Sequence, residues 1–206
     1  YVAQGQQVLR ADSEERHAIG ADVAVQLLQM VDASLPEVGA LVLSDYGKGV
    51  LTPDILRQII DKAAARNISV VVDPYGRDFA RYKQAGYVSP NRAELAEASG
   101  VLADTTEQIL AAAQQVMDLS GVASMLVTRS EDGMSLITHD GIATHFSAEA
   151  REVYDVSGAG DTVVAAFAAA LAVGGTPTAA AALANTAASI VVTKAGQTLT
   201  YTFSSY

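Results

Sequence analysis

Gly158-Ala159-Gly160-Asp161 stands a short way after another carboxylate, Asp155, and opens an apolar, alanine-rich segment that reads as a helix. Small residues at 158–160 let backbone approach an anion closely, and the free N–H groups of a helix start point at it. Asp161 would then set a carboxylate beside that anion, where a base for a hydroxyl nucleophile is needed. A structural reading competes: an acidic residue near a helix N-terminus, with glycines making a tight turn. The motif by itself supports both equally.

Three other places carry chemistry of the same kind. Pro90-Asn91-Arg92-Ala93-Glu94 sets an amide and a carboxylate three residues apart, on one face of a helix start. Such a pair suits water-mediated Mg²⁺ binding, because Mg²⁺ takes few protein oxygens and keeps several waters. The same spacing makes a capping box, and taken alone it is the spacing of a cap. Lys48 lies between Gly47 and Gly49, close to Asp45, where it could reach a phosphate or be a solvated lysine in a turn. That loop does not match G-x-x-x-x-G-K-[ST] and is no Walker P-loop. Thr128 to Gly133 offers hydroxyls and backbone to a ribose or to phosphates. His17, His139 and His145 have no ligand-like spacing and are expected on the surface or in a hairpin. No H-x-G-H occurs, which disfavours that kind of nucleotidyl-transfer site. A dinucleotide-binding reading of Gly158-Ala159-Gly160 fails, because Val163 stands where the third glycine belongs and residues 152–155 make a poor buried strand.

The surrounding pattern decides how these groups can meet. Residues 1–16 read as extended, and 22–31 carry apolar residues at helical spacing. Ala40–Leu43, Ile68–Val72, Tyr87–Ser89 and Val122–Thr128 read as buried strands. Thr52-Pro53 caps and opens a helix to about Arg66, and a second capped helix covers 104–119. Residues 134–137 and 143–146 read as a hairpin joined by Asp140-Gly141. Helices over 160–173 and 177–192 close the described pattern. Strands alternating with helices argue for an α/β fold, a mostly parallel sheet with helices on both faces. Asp45, Asp73, Asn91 and Thr128 each follow the apolar run of a strand, and ligands bind outside the carboxyl ends of such strands.

Composition limits the rest. A chain of 206 residues can bury a sizeable core, and no internal repeat or linker divides it. Cysteine is absent, which rules out disulfides and thiolate metal sites and fits a reducing compartment. A net charge of −10 disfavours nonspecific nucleic-acid binding but not a nucleotide ligand. No apolar run is long enough to span a bilayer and no leader pattern begins the sequence, so a soluble, cytoplasmic setting is expected.

The order of the motifs adds information. An Asp45 loop, then Asp73-Pro74, then Asn91-x-x-Glu94, then Thr128 to Gly133, then Gly158-Ala159-Gly160-Asp161 resembles the PfkB, ribokinase-like carbohydrate kinases over nearly the whole chain. Gln6–Asp12, Ser44–Gly49, Asp73–Asp78 and Thr128–Met134 look like the branch that phosphorylates D-glycero-β-D-manno-heptose 7-phosphate in bacterial ADP-heptose synthesis, for the lipopolysaccharide core. The resemblance implies Asp161 as the base for the C1 hydroxyl of the sugar, and residues 158–161 as the anion hole. It implies Asn91 and Glu94 as organisers of Mg²⁺ and phosphates, and Thr128, Ser130 and Gly133 as contacts of ATP. Asn185 to Ala188 would pack near the adenine. Asp155 would help hold a monovalent cation such as K⁺, as in some members. Asp45, Lys48 and Arg77 are the candidates for the sugar phosphate. The partners implied are ATP and a sugar phosphate, with a homodimer in the intact protein, and with no nucleic acid or membrane.

Ser130 departs from the broader family, which has glycine at that point of its T-x-G-x-x-G turn, although the heptose branch carries serine. Against the family pattern the chain reads as the C-terminal two-thirds of one sugar-kinase domain. The first βαβ units, most of the small β lid and the separate nucleotidyltransferase module have no counterpart here. Another PfkB kinase, acting on ribose, a fructose phosphate or a nucleoside, is the nearest alternative. A nucleotide-binding module without activity is the other.

Overall fold

The computed structural model describes residues 14–148 and 158–193, together with two short antiparallel strands, β1 (Val2–Ala3) and β2 (Gln6–Gln7). The remainder of the Gln6–Asp12 motif lies outside the described residues. There follow α1 (Ala21–Ser34), β3 (Ala40–Ser44), α2 (Pro53–Ala64), β4 (Ser69–Asp73), β5 (Tyr87–Val88) and α3 (Arg92–Ser99). Next come α4 (Thr106–Ser120), β6 (Ser124–Thr128), β7 (Met134–Thr138), β8 (Ala143–Phe146), α5 (Ala159–Ala172) and α6 (Pro177–Val192).

Strands β3 to β8 form a six-stranded sheet in chain order. β3, β4, β5 and β6 run parallel, and the β7–β8 hairpin adds antiparallel to β6. Alternation along each strand sends side chains to two cores. Val70, Val72, Met125 and Val127 pack with Leu56, Ile60 and Ile109 of α2 and α4. Val71, Leu126 and Leu136 face the other way, against Val164, Phe167 and Ala181 of α5 and α6. The Tyr87 and Phe167 rings meet edge to face at 4.9 Å between centroids. Helices on both faces over a mostly parallel sheet are the expected architecture.

Local chemistry sets the helix limits. Thr52 Oγ1 accepts from Ile55 N and Pro53 occupies the first turn of α2, whose inner face is Ile55, Leu56, Ile59 and Ile60. That helix stops at Ala64 rather than Arg66, and Asn67 at φ 57° turns the chain into β4. α4 starts at Thr106 rather than Asp104, because Thr105 takes the cap in a box with Gln108. α1 runs on to Ser34, three residues past the predicted end, with no fully buried residue. At the far end of α5, a Cβ on Gly39 would lie 2.1 Å from Ala172 O, so the start of β3 and the end of α5 touch backbone to backbone.

The strand-end residues gather as the sequence predicts. Asp45 N donates to Asp73 O at 3.0 Å, Ser89 N to Val72 O at 2.8 Å and Thr128 N to Pro90 O at 3.0 Å, with Asn91 bridged to Thr128. These bonds carry the parallel ladder past the strands and hold their polar ends side by side. Among the described residues no helix is long and apolar enough to cross a membrane.

Candidate functional site

Two clefts open at this edge. The smaller, about 200 Å³, is lined by Asp73, Ser89, Asn91, Glu94, Thr128, Gly158, Gly160 and Asp161. α5 starts beside it from Gly158, which is left-handed at φ 76° and ψ 2°. Among the described residues no side chain caps this helix, whereas Thr52, Asn91, Thr105 and Thr176 cap α2, α3, α4 and α6. Its first N–H groups and its positive dipole end are therefore available to an anion, with Asp161 in the first turn. Asn91 and Glu94 both close the capping box of α3 and line this cleft. Asn91 Oδ1 accepts from Glu94 N at 2.9 Å and Glu94 Oε2 accepts from Asn91 N at 2.8 Å. The box holds both side chains in one rotamer while the Asn91 Nδ2 donors and the second Glu94 oxygen take no part in it.

Carboxylates crowd the cleft. Burial first, then the charges of Glu94 and Asp161, push the Asp73 carboxyl up from 3.8 to about 6, against a hydrogen bond from Ser44 that lowers it. Between those two values the folded protein holds a proton that the unfolded chain has released, so stability falls as pH rises through the window. Asp73→Asn is accordingly expected to stabilise the protein at about pH 8 and to lose that advantage near pH 4. Urea unfolding at both pH values measures this, and an equal gain at each would contradict it. The donor set of Asp73, Glu94, Asp161 and Asn91 is hard oxygen, which fits Mg²⁺. Among the described residues no three carboxylate or imidazole groups converge to chelate an ion directly.

The larger cleft, about 490 Å³, meets the smaller one at Thr128 and Gly160, which line both. Ser130, Gly133, Ala159, Asn185 and Ala188 line it, with apolar surface from Met134, Val163 and Val192. Asn185 Nδ2 donates to Ser147 O at 2.8 Å, which ties α6 to the segment after β8. Ser130 adopts φ 53°, the left-handed region, which explains physically why glycine suits this position. Ser130→Gly is expected to stay within about 0.5 kcal/mol of the parent, because released strain is offset by glycine's greater freedom when unfolded. Ser130→Val should lose about 1–2 kcal/mol in the same denaturation measurement, and equal stability of all three would contradict the strain.

The structure brings together Asn91, Glu94, Thr128, Ser130, Gly133, Gly158, Ala159, Gly160, Asp161, Asn185 and Ala188, spread over the two clefts. Asp155 lies outside the described residues. Three residues expected at the substrate are not brought to either cleft. Asp45 is turned inward with its side chain 3 % exposed: its oxygens accept from Gly47 N at 2.9 Å and from the Tyr82 hydroxyl at 2.8 Å, beside Arg81 at 3.3 Å. A buried carboxylate needs such partners, and they correct its reading from ligand to anchor of the loop after β3. Lys48 pairs with Glu14 at 2.5 Å and Arg77 with Glu97 at 2.9 Å, both on the surface. Asp73 and Ser89 went unassigned in the sequence reading. The signal for Asp73 was there, since it ends a strand like Asn91 and Thr128. Ser89 is buried, donates to Leu126 O and has no spacing that marks it.

Comparison with known proteins agrees with this arrangement. A family model described as pfkB family carbohydrate kinase matches residues 15–202. The bifunctional protein HldE of Paramagnetospirillum magneticum is 52% identical over 201 residues, covering 98% of this chain and 41% of that protein. That of Rhodospirillum rubrum is 52% identical over 197 residues, covering 95% of the chain and 40% of the relative. The chain therefore spans about two-fifths of the length of these curated relatives. Among solved structures, Arabidopsis thaliana ribokinase complexed with ribose and ATP aligns with a TM-score of 0.71 at 27% identity, covering 88% of this chain and 56% of that one. Escherichia coli phosphofructokinase-2 in complex with potassium aligns at 0.73 with 21% identity, covering 87% and 58%. The fold is ribokinase-like, and the chain belongs to the pfkB family of carbohydrate kinases.

Proposed function

We propose that this chain supplies the nucleotide-binding and catalytic part of an ATP-dependent kinase domain whose acceptor is the C1 hydroxyl of a heptose 7-phosphate. The observation that carries the reading is the start of α5, which no described side chain caps. Its N–H groups and Asp161 border an acidic cleft that is continuous with a larger apolar one. The HldE relatives support the heptose branch, and the coverage of solved kinases supports a larger domain around this chain.

The roles follow from charge and placement. In the larger cleft the apolar walls of α5 and α6 would take the adenine, and the Thr128–Gly133 turn the ribose and phosphates. The N-terminus of α5, from Gly158 to Asp161, stabilises negative charge that develops on the transferred phosphoryl group. Asp161 accepts the proton of the attacking hydroxyl as its oxygen bonds the γ-phosphorus of ATP and the bond from that phosphorus to the β–γ bridging oxygen breaks, releasing ADP. Asn91 and Glu94, fixed by their capping box, orient the hydrated cation, and Mg²⁺ when bound neutralises phosphate charge. Lys48 and Arg77 are the candidates for attraction of the acceptor's own phosphate, each requiring release from its present acidic partner. Asp155 is the candidate for a monovalent cation.

An ATP-consumption assay of the full-length protein over heptose 7-phosphate, ribose, fructose 6-phosphate and a nucleoside tests the acceptor. Turnover with heptose 7-phosphate alone is expected, and turnover with ribose instead would overturn the assignment. The coverage of only 56–58% of the solved kinase chains favours a second reading for this chain in isolation, nucleotide binding with little or no turnover. Calorimetric titration with ATP·Mg beside the same assay separates the two.

A further inference from the structure

Between Thr128 and Ser130, both at the larger cleft, the Arg129 side chain turns away from the ligand space and is buried, 5 % exposed. One terminal nitrogen donates to Ser135 Oγ of β7 at 3.2 Å and to His145 Nδ1 of β8 at 3.2 Å. The other donates to Thr106 Oγ1 at the start of α4, at 3.0 Å. A guanidinium only donates, so His145 must present an unprotonated Nδ1 to it. These hydrogen-bond acceptors are neutral, the Glu107 carboxylate of α4 acts on the guanidinium through space without a hydrogen bond, and Nε is buried with no hydrogen-bond partner among the described residues. A buried cation held this way is costly, and an apolar residue could fill the same space. What the guanidinium adds is its fork, which reaches three elements, α4, β7 and β8, at once from a single side chain.

The backbone of the same residue is fixed as firmly. Arg129 N donates to Gly133 O at 2.7 Å, closing the turn, and Arg129 O accepts from Arg92 at 2.6 Å. Arg92 also pairs with Asp132 inside the turn at 3.1 Å. This turn contains two left-handed residues, Ser130 at φ 53° and Gly133 at φ 86°. Strained backbone persists only where its surroundings over-determine it. Arg129 supplies that determination from α4, β7 and β8 together.

We propose that Arg129 is a positioning residue for the nucleotide, holding the Thr128–Gly133 turn in its strained form against the cleft. The proposal rests on the reading of that cleft as a nucleotide site. Lysine keeps the charge but cannot span the three acceptors, so Arg129→Lys isolates the fork. Two measurements on the full-length protein test it: amide hydrogen exchange without nucleotide, and ATP·Mg affinity by calorimetry. Exchange at residues 130–133 should accelerate by about tenfold or more, while amides of α2 and β4 keep their protection. The dissociation constant for ATP·Mg should rise by about tenfold. His145→Leu, which removes one acceptor and keeps the arginine, should move both readouts the same way by about threefold, and His145→Gln should restore them. Unchanged protection of the turn, or loss of protection spread evenly over the chain, would overturn the positioning role. An opened turn with unchanged ATP affinity would overturn its link to the nucleotide. Failure of the unsubstituted protein to bind ATP·Mg would instead remove the nucleotide reading itself, while an opened turn in Arg129→Lys would keep the geometric role.

Discussion

Asp161→Asn is expected to lower kcat by about 10²-fold or more in the full-length protein while leaving ATP·Mg affinity intact or slightly tighter. Asparagine is nearly isosteric, so the first turn of α5 and its N–H groups stay in place. What is lost is the proton acceptor. One negative charge also leaves a cleft that already holds Asp73 and Glu94, which favours the anionic nucleotide. The same change has a second signature. Because the Asp161 charge contributes to raising the Asp73 carboxyl, its removal should bring Asp73 back toward the ordinary carboxylate range, visible in an NMR titration. Stopped-assay kinetics with ATP and sugar varied separately give the kcat and KM terms. Preserved kcat would take Asp161 out of the chemistry, and a collapse of ATP affinity would make it a binding group.

Gly133→Ala should be the most damaging single methyl in the Thr128–Gly133 turn. Gly133 sits at φ 86° and ψ −124°, a conformation close to exclusive to glycine. A Cβ there would lie 2.0 Å from Phe146 O and 2.6 Å from Ala148 N, backbone atoms that cannot rotate aside. The expected loss is about 3 kcal/mol or more, or roughly 10 °C in Tm for a chain of this size. Gly158→Ala is the control. Its φ is also positive, but an added Cβ meets nothing within 4 Å among the described residues, so the backbone term of about 1 kcal/mol is the expected cost. Thermal and urea unfolding of both variants decide the matter. Near-equal stabilities would mean that the hairpin after Gly133 yields to the methyl.

Local signals carried most of the fold. Thr52-Pro53 and Asn91-x-x-Glu94 mark helix starts because a cap bonds within three residues of itself. Strand runs such as Val70–Val72 needed both faces covered, and the two cores cover them. At the site, the residues read from turn and helix-start chemistry converge on the clefts. The misses are tertiary. Asp45 accepts locally from Gly47 N, but Arg81 and the Tyr82 hydroxyl, which complete its buried surroundings, come from 36 and 37 residues away and have no signal near it in sequence. Arg129 stands in a recognisable turn, yet its partners come from α4, β7 and β8, and only their packing shows which way it points. Asn91 and Glu94 taught the opposite lesson. Their spacing reads as a cap or as a site, and in the structure one pair of side chains closes the cap and also lines the cleft.

Backbone contact between Gly39 and Ala172 makes α5 a lever with its fulcrum far from the chemistry. The helix is 14 residues long, so its two ends stand about 20 Å apart. Any side chain at position 39 would have to displace the carboxyl end, and a rigid rod passes a displacement on as a tilt. The alignment of Asp161 and the first N–H groups of α5 is thus set partly by the absence of one methyl at the far end of the helix.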